Sequence, residues 1–304
     1  MTAYDGVLNI LKPPGMTSHD VVAAVRRLFP GTKAGHTGTL DPWAAGVLPV
    51  CLGRATRLSR FITEEWKEYL TWARLGVVTD SGDTFGRLLN RRDAAGITAA
   101  KVEKTLEGFV GRRWQVPPMT SALKKDGQPL YALARRGIEV EREPRPVEIA
   151  GLGLLAAEGL GGPRPQVLLK VVCSKGTYIR TLVADIGAAL GCGATVAFLL
   201  RTAVGAFHQR DALTMEEVGQ AVRSGRSAAV VVGMDRVLRA FPRVEVREGA
   251  VRAVAAGAVL YPAGVRSAPA GLAPGQVVCL CGPVGLLAVA ETAWEDGSAG
   301  GRTV

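Results

Sequence analysis

Residues 66 to 78 carry a two-residue repeat that is typical of a half-buried strand. Four side chains stand at every second position of this stretch: Tyr69, Thr71, Ala73 and Leu75. Successive side chains of a strand point to opposite faces of a sheet, so these four share one face. Largely apolar runs at residues 167 to 173 and 195 to 204 predict two further strands. A sheet must therefore account for much of the core.

Three other segments have the apolar spacing of an amphipathic helix. They are residues 17 to 29, 98 to 109 and 177 to 190. At the start of the first, Thr17 is followed three residues later by Asp20, which predicts a capping box. Thr214 and Glu217 have the same spacing and predict the start of a later helix.

The pattern changes beyond about Asp235, where short β-like runs alternate with Gly, Pro and Ala turns. We predict a larger domain over residues 1–235 and a small β domain over residues 236–304. Residues 112–146 are basic and contain prolines, which predicts an exposed insert with a short helix at residues 129 to 136.

The charge balance points to a polyanionic partner. Lys plus Arg number 37 against 27 Asp plus Glu, which makes the net charge +10. The last 69 residues hold 7 basic and 5 acidic side chains, so the first 235 carry a net +8. A protein this basic either binds nucleic acid or merely has a basic surface, and charge alone does not decide between them.

Several classes of protein are excluded by what the sequence lacks. There is no run of 18 apolar residues and no signal-peptide pattern, so we expect neither a membrane span nor secretion. The five cysteines are scattered without a C-x-x-C, which fits a reducing cytoplasm. No zinc, P-loop or dinucleotide motif occurs. We expect no metal and no cofactor.

The polar, glycine-rich loop at residues 35 to 42 contains the most suggestive carboxylate, Asp41. Glycines let a backbone approach a ligand closely, and Pro42 biases Asp41 towards an extended conformation. Asp41 is either a catalytic carboxylate or a residue that only caps a turn. Arg180, at a strand-to-helix junction, is either its partner or a surface arginine.

Four other residues admit more than one interpretation each. Tyr69 and Tyr178 either stack on a base or serve as core residues with a bonded hydroxyl. His36 either contacts a base or makes hydrogen bonds within its loop. Lys12 is a phosphate contact, a support contact or a solvated side chain.

Six segments, in order over about residues 6 to 207, resemble the TruB family, the bacterial tRNA pseudouridine-55 synthases. They are GVLNILKPPGMTSHDVV, AGHTGTLDPWAAGVLPVCLGRATRL, KEYLTWARLGVVTDSGDTFG, QVPPMTSALKKDGQPLYALARRG, CSKGTYIRTLVADIGAALGCGA and FLLRTAVGAF. The resemblance implies an α+β pseudouridine-synthase fold with a long mixed, mainly antiparallel sheet. It also implies a small C-terminal PUA-like RNA-binding β domain.

The resemblance implies isomerisation of uridine-55 in the tRNA T-loop, without a cofactor, by a monomer that needs no protein partner. Asp41 corresponds to the catalytic aspartate, Tyr69 to the tyrosine that stacks on the flipped base, and Arg180 to the partner of the aspartate. Lys12 with Pro13 corresponds to support for the catalytic loop. The residues that correspond to contacts with the target nucleotide are His36, Tyr178 and Leu199. The basic insert corresponds to the family's RNA-binding insert.

Two questions stay open at this stage. Asp41 either attacks C1′ as a nucleophile or acts as a base at the ribose and creates a glycal. The chain is either a stand-alone synthase, a tRNA-remodelling protein without isomerase activity, or a guide-dependent relative of the dyskerin type. The presence of Asp41 and of the basic insert favours the first. One departure is Leu200, where the family usually has an arginine, so we do not expect an RNA contact from a guanidinium at this position.

Overall fold

A computed structural model describes residues 4–295 and 298–303. The described chain forms two compact units. The first consists of Tyr4 and Leu8–Val231, and the second of Asp5–Val7 and the residues from Val232 onward. None of the helices in the described ranges is long and apolar enough to cross a membrane.

The first unit is built on a nine-stranded sheet with two small hairpins beside it. Its strands are β1 Gly6–Lys12, β2 Ala34–His36, β3 Ala45–Leu52, β4 Lys67–Leu75, β5 Val77–Thr79, β6 Leu88–Arg91, β7 Gly111–Gln115, β8 Lys124–Lys125, β9 Gln128–Pro129, β10 Arg145–Glu158, β11 Gln166–Cys173, β12 Ala194–Val204 and β13 Phe207–His208. The order across the sheet is β1-β3-β12-β4-β11-β10-β7, with β2 paired to β3 and β13 to β12. The β3–β12 pair is parallel, whereas β12, β4, β11, β10 and β7 pair antiparallel in succession.

Helices of one to three turns accompany the strands. In the first unit they are α1 Ser18–Leu28, α2 Ser59–Glu64, α3 Ala99–Glu107, α4 Leu130–Arg135, α5 Ile179–Ala189, α6 Met215–Arg223 and α7 Ser227–Val230. The two predicted capping boxes are confirmed. Thr17 and Asp20 bond each other's backbone N–H at the start of α1, and Thr214 and Glu217 do the same at α6.

The predicted repeat at Tyr69 is confirmed as the buried face of β4, where every second side chain is buried. β4 lies between β12 and β11, near the middle of the sheet. The core beneath it includes Leu169 of β11 and Leu182 of α5. A second core cluster packs α1 against β1 and β3.

The two ends of the insert predicted over residues 112–146 form strands of the sheet and are not part of an exposed segment. Gly111–Gln115 and the first residues of β10 pair in antiparallel register, which places residues 112–115 and 145–146 in the sheet. Arg112 and Trp114 are exposed on this edge strand, which is why the segment reads as an insert in the sequence. Residues 116 to 144 lie between the two strands and contain the short helix α4.

The second unit contains a five-stranded sheet. Its elements are α8 Met234–Val237, β14 Arg243–Val246, α9 Glu248–Ala255, β15 Val265–Ser267, β16 Val277–Gly282, β17 Gly285–Glu295 and β18 Ser298–Thr303. The strand order is β15-β14-β16-β17-β18, and Val246, Val278 and Ala290 belong to its core. The predicted fold class is therefore confirmed: a mixed, mainly antiparallel sheet in an α+β unit, followed by a small β unit.

Candidate active site

Asp41 lies in the loop between β2 and β3, and backbone hydrogen bonds hold the residues around it. The Ala44 N–H donates to the Asp41 carbonyl at 3.1 Å. The Leu40 N–H donates to the Ser18 hydroxyl at 2.9 Å, which ties the loop to the start of α1. The Pro42 carbonyl accepts from the Gly15 N–H at 2.8 Å. The carboxylate of Asp41 is thus presented by a loop whose flanking residues on both sides are fixed.

Arg180 faces Asp41 in a bidentate ion pair. Its Nε lies 2.9 Å from Oδ2 of Asp41, and its Nη2 donates to Oδ1 at 3.0 Å. Arg180 is the second residue of α5 and its side chain is only 5% exposed, against 25% for Asp41. The planar guanidinium matches a carboxylate at two points, which fixes direction as well as distance. The alternative of a surface arginine is therefore wrong.

The remaining guanidinium hydrogens reach two segments that the sequence did not single out as parts of a site. Nη1 donates to the Ser81 carbonyl at 3.0 Å and to the Thr120 hydroxyl, and Nη2 donates to the Thr120 carbonyl at 2.8 Å. Oδ2 of the buried Asp83 lies 3.9 Å from Nη1. Arg180 therefore lies between two carboxylates and connects the β5–β6 hairpin and residue 120 to the Asp41 loop.

Two opposing influences act on the ionisation of Asp41. Burial raises the pKa of its carboxyl above the ordinary 3.8, and the guanidinium of Arg180 opposes that rise. The nearby Asp83 charge also raises the pKa. Arg180 thus favours the charged form, which burial alone would disfavour.

Lys12 supports the loop from below. Its side chain is fully buried, and its ammonium donates to the carbonyls of Met16 at 2.6 Å, Pro13 at 2.9 Å and Pro42 at 3.1 Å. The three hydrogens of an ammonium are then all used. Lys12 therefore has the position of a support contact for the residue that follows Asp41, and the interpretations as a phosphate contact or a solvated side chain do not fit it.

The ionisation of Lys12 leads to a pH prediction. Burial lowers its pKa from 10.5 to about 8, and a neutral amine has two hydrogens for three carbonyls. We expect kcat to fall as the pH rises through about 8. Between this pH and 10.5 the unfolded chain binds more protons than the folded one, so this group makes folding stability rise with pH. The loss of activity should therefore occur in a folded protein.

Rates measured by quenching the reaction at fixed times, and thermal unfolding curves over the same pH series, check this prediction. Lys67 is the matched control, since burial lowers its pKa to about 8 as well and its ammonium bonds the Thr63 and Glu65 carbonyls. Lys67→Arg should keep the alkaline fall in kcat. A flat rate across the range, or a fall that disappears in Lys67→Arg, would contradict the assignment to Lys12.

Tyr69 and Leu199 lie on neighbouring strands, β4 and β12, and both are buried. Burial raises the pKa of the Tyr69 hydroxyl, and the nearby Arg201 acts in the opposite direction. The charge of Asp41 affects the pKa of Tyr69, as it does those of Tyr178 and Lys12. Of these three residues, Lys12 also bonds the Asp41 loop directly, through the Pro42 carbonyl.

Tyr178 and His36 lie at two other edges of the site. Tyr178 immediately precedes α5, and its backbone N–H and carbonyl both bond the side-chain amide of Gln115 on β7. His36 ends β2, where burial lowers the pKa of its imidazole. Its Nδ1 has no hydrogen-bond partner among the residues that the structure describes.

Arg201 is a residue whose structural role the sequence did not indicate. It follows Leu200 on β12 and is almost fully buried. Its Nε donates to the Val47 carbonyl at 2.7 Å and its Nη2 to the Gly38 carbonyl at 3.1 Å. One guanidinium thus bonds the residues on both sides of the Asp41 loop. Its place in the Leu-Leu-Arg-Thr segment was the only signal available in the sequence.

The described ranges contain no group of three or more His, Cys, Asp or Glu side chains placed to hold a metal ion. The functional groups brought together are thus a carboxylate paired with a guanidinium, a buried tyrosine hydroxyl nearby, and buried cations beneath the loop.

Comparison with protein families finds three matches along the chain. Residues 26–179 match the TruB family pseudouridylate synthase N-terminal domain. Residues 180–240 match the tRNA pseudouridylate synthase B C-terminal domain, and residues 242–293 match the PUA domain. The family resemblance and the PUA-like character of the C-terminal unit are thereby confirmed.

Two similar curated proteins carry the same name. A tRNA pseudouridine synthase B of Pelotomaculum thermopropionicum is 49% identical over 291 residues, which are 96% of this chain and 92% of that protein. Another, of Symbiobacterium thermophilum, is 55% identical over 214 residues, which are 70% and 71% of the two chains.

Solved structures with the same fold include a chain of a Cbf5-Nop10-Gar1 complex. It has a TM-score of 0.76 and 29% identity, with coverage of 98% of this chain and 83% of that one. A chain of an H/ACA RNP bound to a substrate RNA containing 2′-deoxyuridine has a TM-score of 0.74 and 26% identity, with coverage of 98% and 83%.

Proposed function

The chain belongs to the TruB family of pseudouridylate synthases, and on that premise we propose that it converts uridine-55 in the T-loop of tRNA to pseudouridine. The relatives and the matched domains make the chain a tRNA pseudouridine synthase, which is an RNA-binding isomerase that modifies tRNA and has a PUA domain. The observation that carries this proposal is the bidentate pair of Asp41 and Arg180, which lie in two of the segments that resemble the family.

The proposed reaction begins with the target base out of the stack. A uracil inside a folded loop must be flipped, at a cost of a few kcal/mol. Stacking on the ring of Tyr69 would recover about 1–3 kcal/mol. His36, Tyr178 and Leu199 surround the nucleotide in this proposal.

The chemistry is an isomerisation without net gain or loss of atoms. The N1–C1′ bond breaks and the uracil keeps its electron pair, the base turns, and C5 bonds to C1′. The proton on C5 then leaves and N1 gains one. Asp41 serves either by attacking C1′ or by removing a ribose proton to create a glycal, and both routes need an ionised carboxylate. The Tyr69 hydroxyl is our proposed relay for the C5 proton.

Asp83 and Lys12 act through other residues in this scheme. Oδ2 of Asp83 lies 3.9 Å from Nη1 of Arg180, the guanidinium nitrogen that does not bond Asp41, and Lys12 bonds the carbonyl of Pro42. We therefore regard both as positioning residues and reserve the catalytic roles for Asp41, Tyr69 and Arg180.

Mapping the product in a full-length tRNA transcript tests the proposal. Purified protein should produce one carbodiimide-dependent reverse-transcription stop, immediately 3′ of position 55, and a transcript with cytidine at position 55 should show no stop. Pseudouridine at another uridine would contradict the assignment of position 55. Absence of any product, with RNA bound, would contradict isomerase activity in the isolated protein.

We further propose a cytoplasmic monomer that acts without a protein partner or cofactor. The high identity to synthase B relatives over almost the whole chain supports this. Partner dependence is the second candidate, because the similar solved structures include chains of multi-component complexes. Full turnover by the purified chain alone would support a synthase that acts without a partner. Turnover only after cell extract is added would support partner dependence.

We expect RNA binding to weaken steeply with salt, because contacts with phosphates release counterions. Lys124 and Lys125, exposed in the insert, should contribute to this dependence. Replacing both by glutamine should reduce the slope of log affinity against log salt by roughly one to two. Filter binding at several salt concentrations measures it. The matched control replaces Lys101 and Lys104 on α3, and equal slopes for both variants would contradict a contact at the insert.

A further inference from the structure

Two aromatic rings stack between the loops that carry Asp41 and Asp83. Trp43 follows Asp41 by two residues, and Phe85 follows Asp83 by two. Their ring centroids lie 5.8 Å apart with an angle of 26° between the ring planes. Trp43 is half-buried and packs against the core that contains Tyr69 and Leu199. The pair is therefore part of the surface around the active site.

Phe85 is held in place by its backbone and not by burial of its ring. Its N–H donates to Oδ1 of Asp83 at 3.0 Å, and the N–H of Thr84 donates to the Val196 carbonyl at 2.9 Å. Gly86 keeps this turn tight, since a Cβ there would lie 2.1 Å from the Ser81 hydroxyl. The side chain of Phe85 nevertheless stays 73% exposed. Apart from its contact with Trp43, most of the ring faces water.

The charge around Phe85 favours RNA as the group that covers it. Exposed Arg87 lies two residues from Phe85, and exposed Arg91 ends β6, the second strand of the same hairpin. Arg87 shares a surface contact of 3.7 Å with Asp80, and both stay solvent-exposed. Exposed arginines beside an exposed aromatic ring are typical of surfaces that bind single-stranded nucleic acid, where rings stack on bases and cations meet phosphates.

We propose that Phe85, backed by Trp43, is a second stacking site, which takes an unpaired base of the RNA next to the target uridine. This rests on the proposed function, because the RNA concerned is the synthase's own substrate. The site differs from the position of Tyr69 on β4, since Phe85 lies on the turn between β5 and β6. Its role is to bind and orient the loop, so its loss should raise KM and leave kcat at saturation nearly unchanged.

The test uses full-length protein and T-arm stem-loops with 2-aminopurine placed in turn at each loop position beside uridine-55. Binding to the unaltered protein should quench the fluorescence at one of these positions. Phe85→Leu keeps an apolar side chain but removes the ring. It should abolish that quenching and raise KM and Kd roughly tenfold. Phe85→Tyr should restore both. Leu88→Ala, an exposed apolar position on the same hairpin, should change neither.

Each contrary outcome has one meaning. Unchanged quenching and affinity in Phe85→Leu, with turnover intact in the unaltered protein, overturns the stacking site and leaves the proposed function standing. An equal loss in Leu88→Ala shows a general apolar surface and also overturns it. No turnover of uridine-55 by the unaltered protein defeats the proposed function itself.

Discussion

Asp41→Asn should abolish turnover while tRNA affinity stays within a few-fold of that of the unaltered protein. The amide keeps the size of the side chain but can neither attack C1′ nor accept a ribose proton. We expect the single-turnover rate to fall by at least roughly a thousandfold. Binding should persist because the backbone bonds of the loop do not involve the carboxylate. Rapid-quench assays and filter binding on the same preparations measure the two quantities.

Asp41→Glu is the matched variant for this prediction. It keeps the charge but moves the carboxylate by one methylene, against a guanidinium that is fixed by Ser81 and Thr120. We expect it to be nearly as inactive as Asp41→Asn, because the reaction depends on placement as well as on charge. Turnover by Asp41→Asn at a rate comparable to that of the unaltered protein would remove the carboxylate from the mechanism.

Arg180→Met should lower both stability and turnover, and the stability loss should be among the largest for any single residue. The guanidinium is 5% exposed and bonds Asp41, Ser81 and Thr120. Its removal leaves the carboxylate of Asp83, also 5% exposed, without its cation. Removing one partner of a buried ion pair costs about 3–5 kcal/mol. Urea unfolding at neutral pH measures this change.

Two further variants separate charge from geometry in this prediction. Arg180→Lys keeps a cation but not the planar fork, so it should recover part of the stability and little of the turnover. Arg180→Met combined with Asp83→Asn should be less destabilised than the sum of the single changes, because no buried charge is left at position 83. Strict additivity, or full activity in Arg180→Lys, would count against the network described here.

The sequence pattern predicted those elements that depend on residues close together in the chain. The alternating side chains around Tyr69 and the caps at Thr17 and Thr214 depend on residues at most a few positions away, and the structure contains them. The error at the insert also has a local cause. Arg112 and Trp114 point to solvent on an edge strand, so composition alone could not distinguish that strand from an exposed loop.

The network around Asp41 could not be predicted in this way. Arg180 meets a carboxylate 139 positions earlier in the chain and a threonine 60 positions away. No periodic pattern carries such pairings. The position of Arg180 left its pairing with Asp41 as one of two interpretations, and the family resemblance favoured it. The sheet and its connections bring distant segments of the chain together, and this places Asp83, Thr120 and Arg201 around Arg180 and the Asp41 loop.

The most direct test of the central claim is tritium release from a T-arm stem-loop with 5-³H-uridine at position 55, incubated with the purified protein alone. The displaced C5 proton is the mark of C5–C1′ bond formation. We predict complete release by the unaltered protein and none by Asp41→Asn. RNA bound tightly by both proteins with no release from either would contradict a stand-alone synthase centred on Asp41.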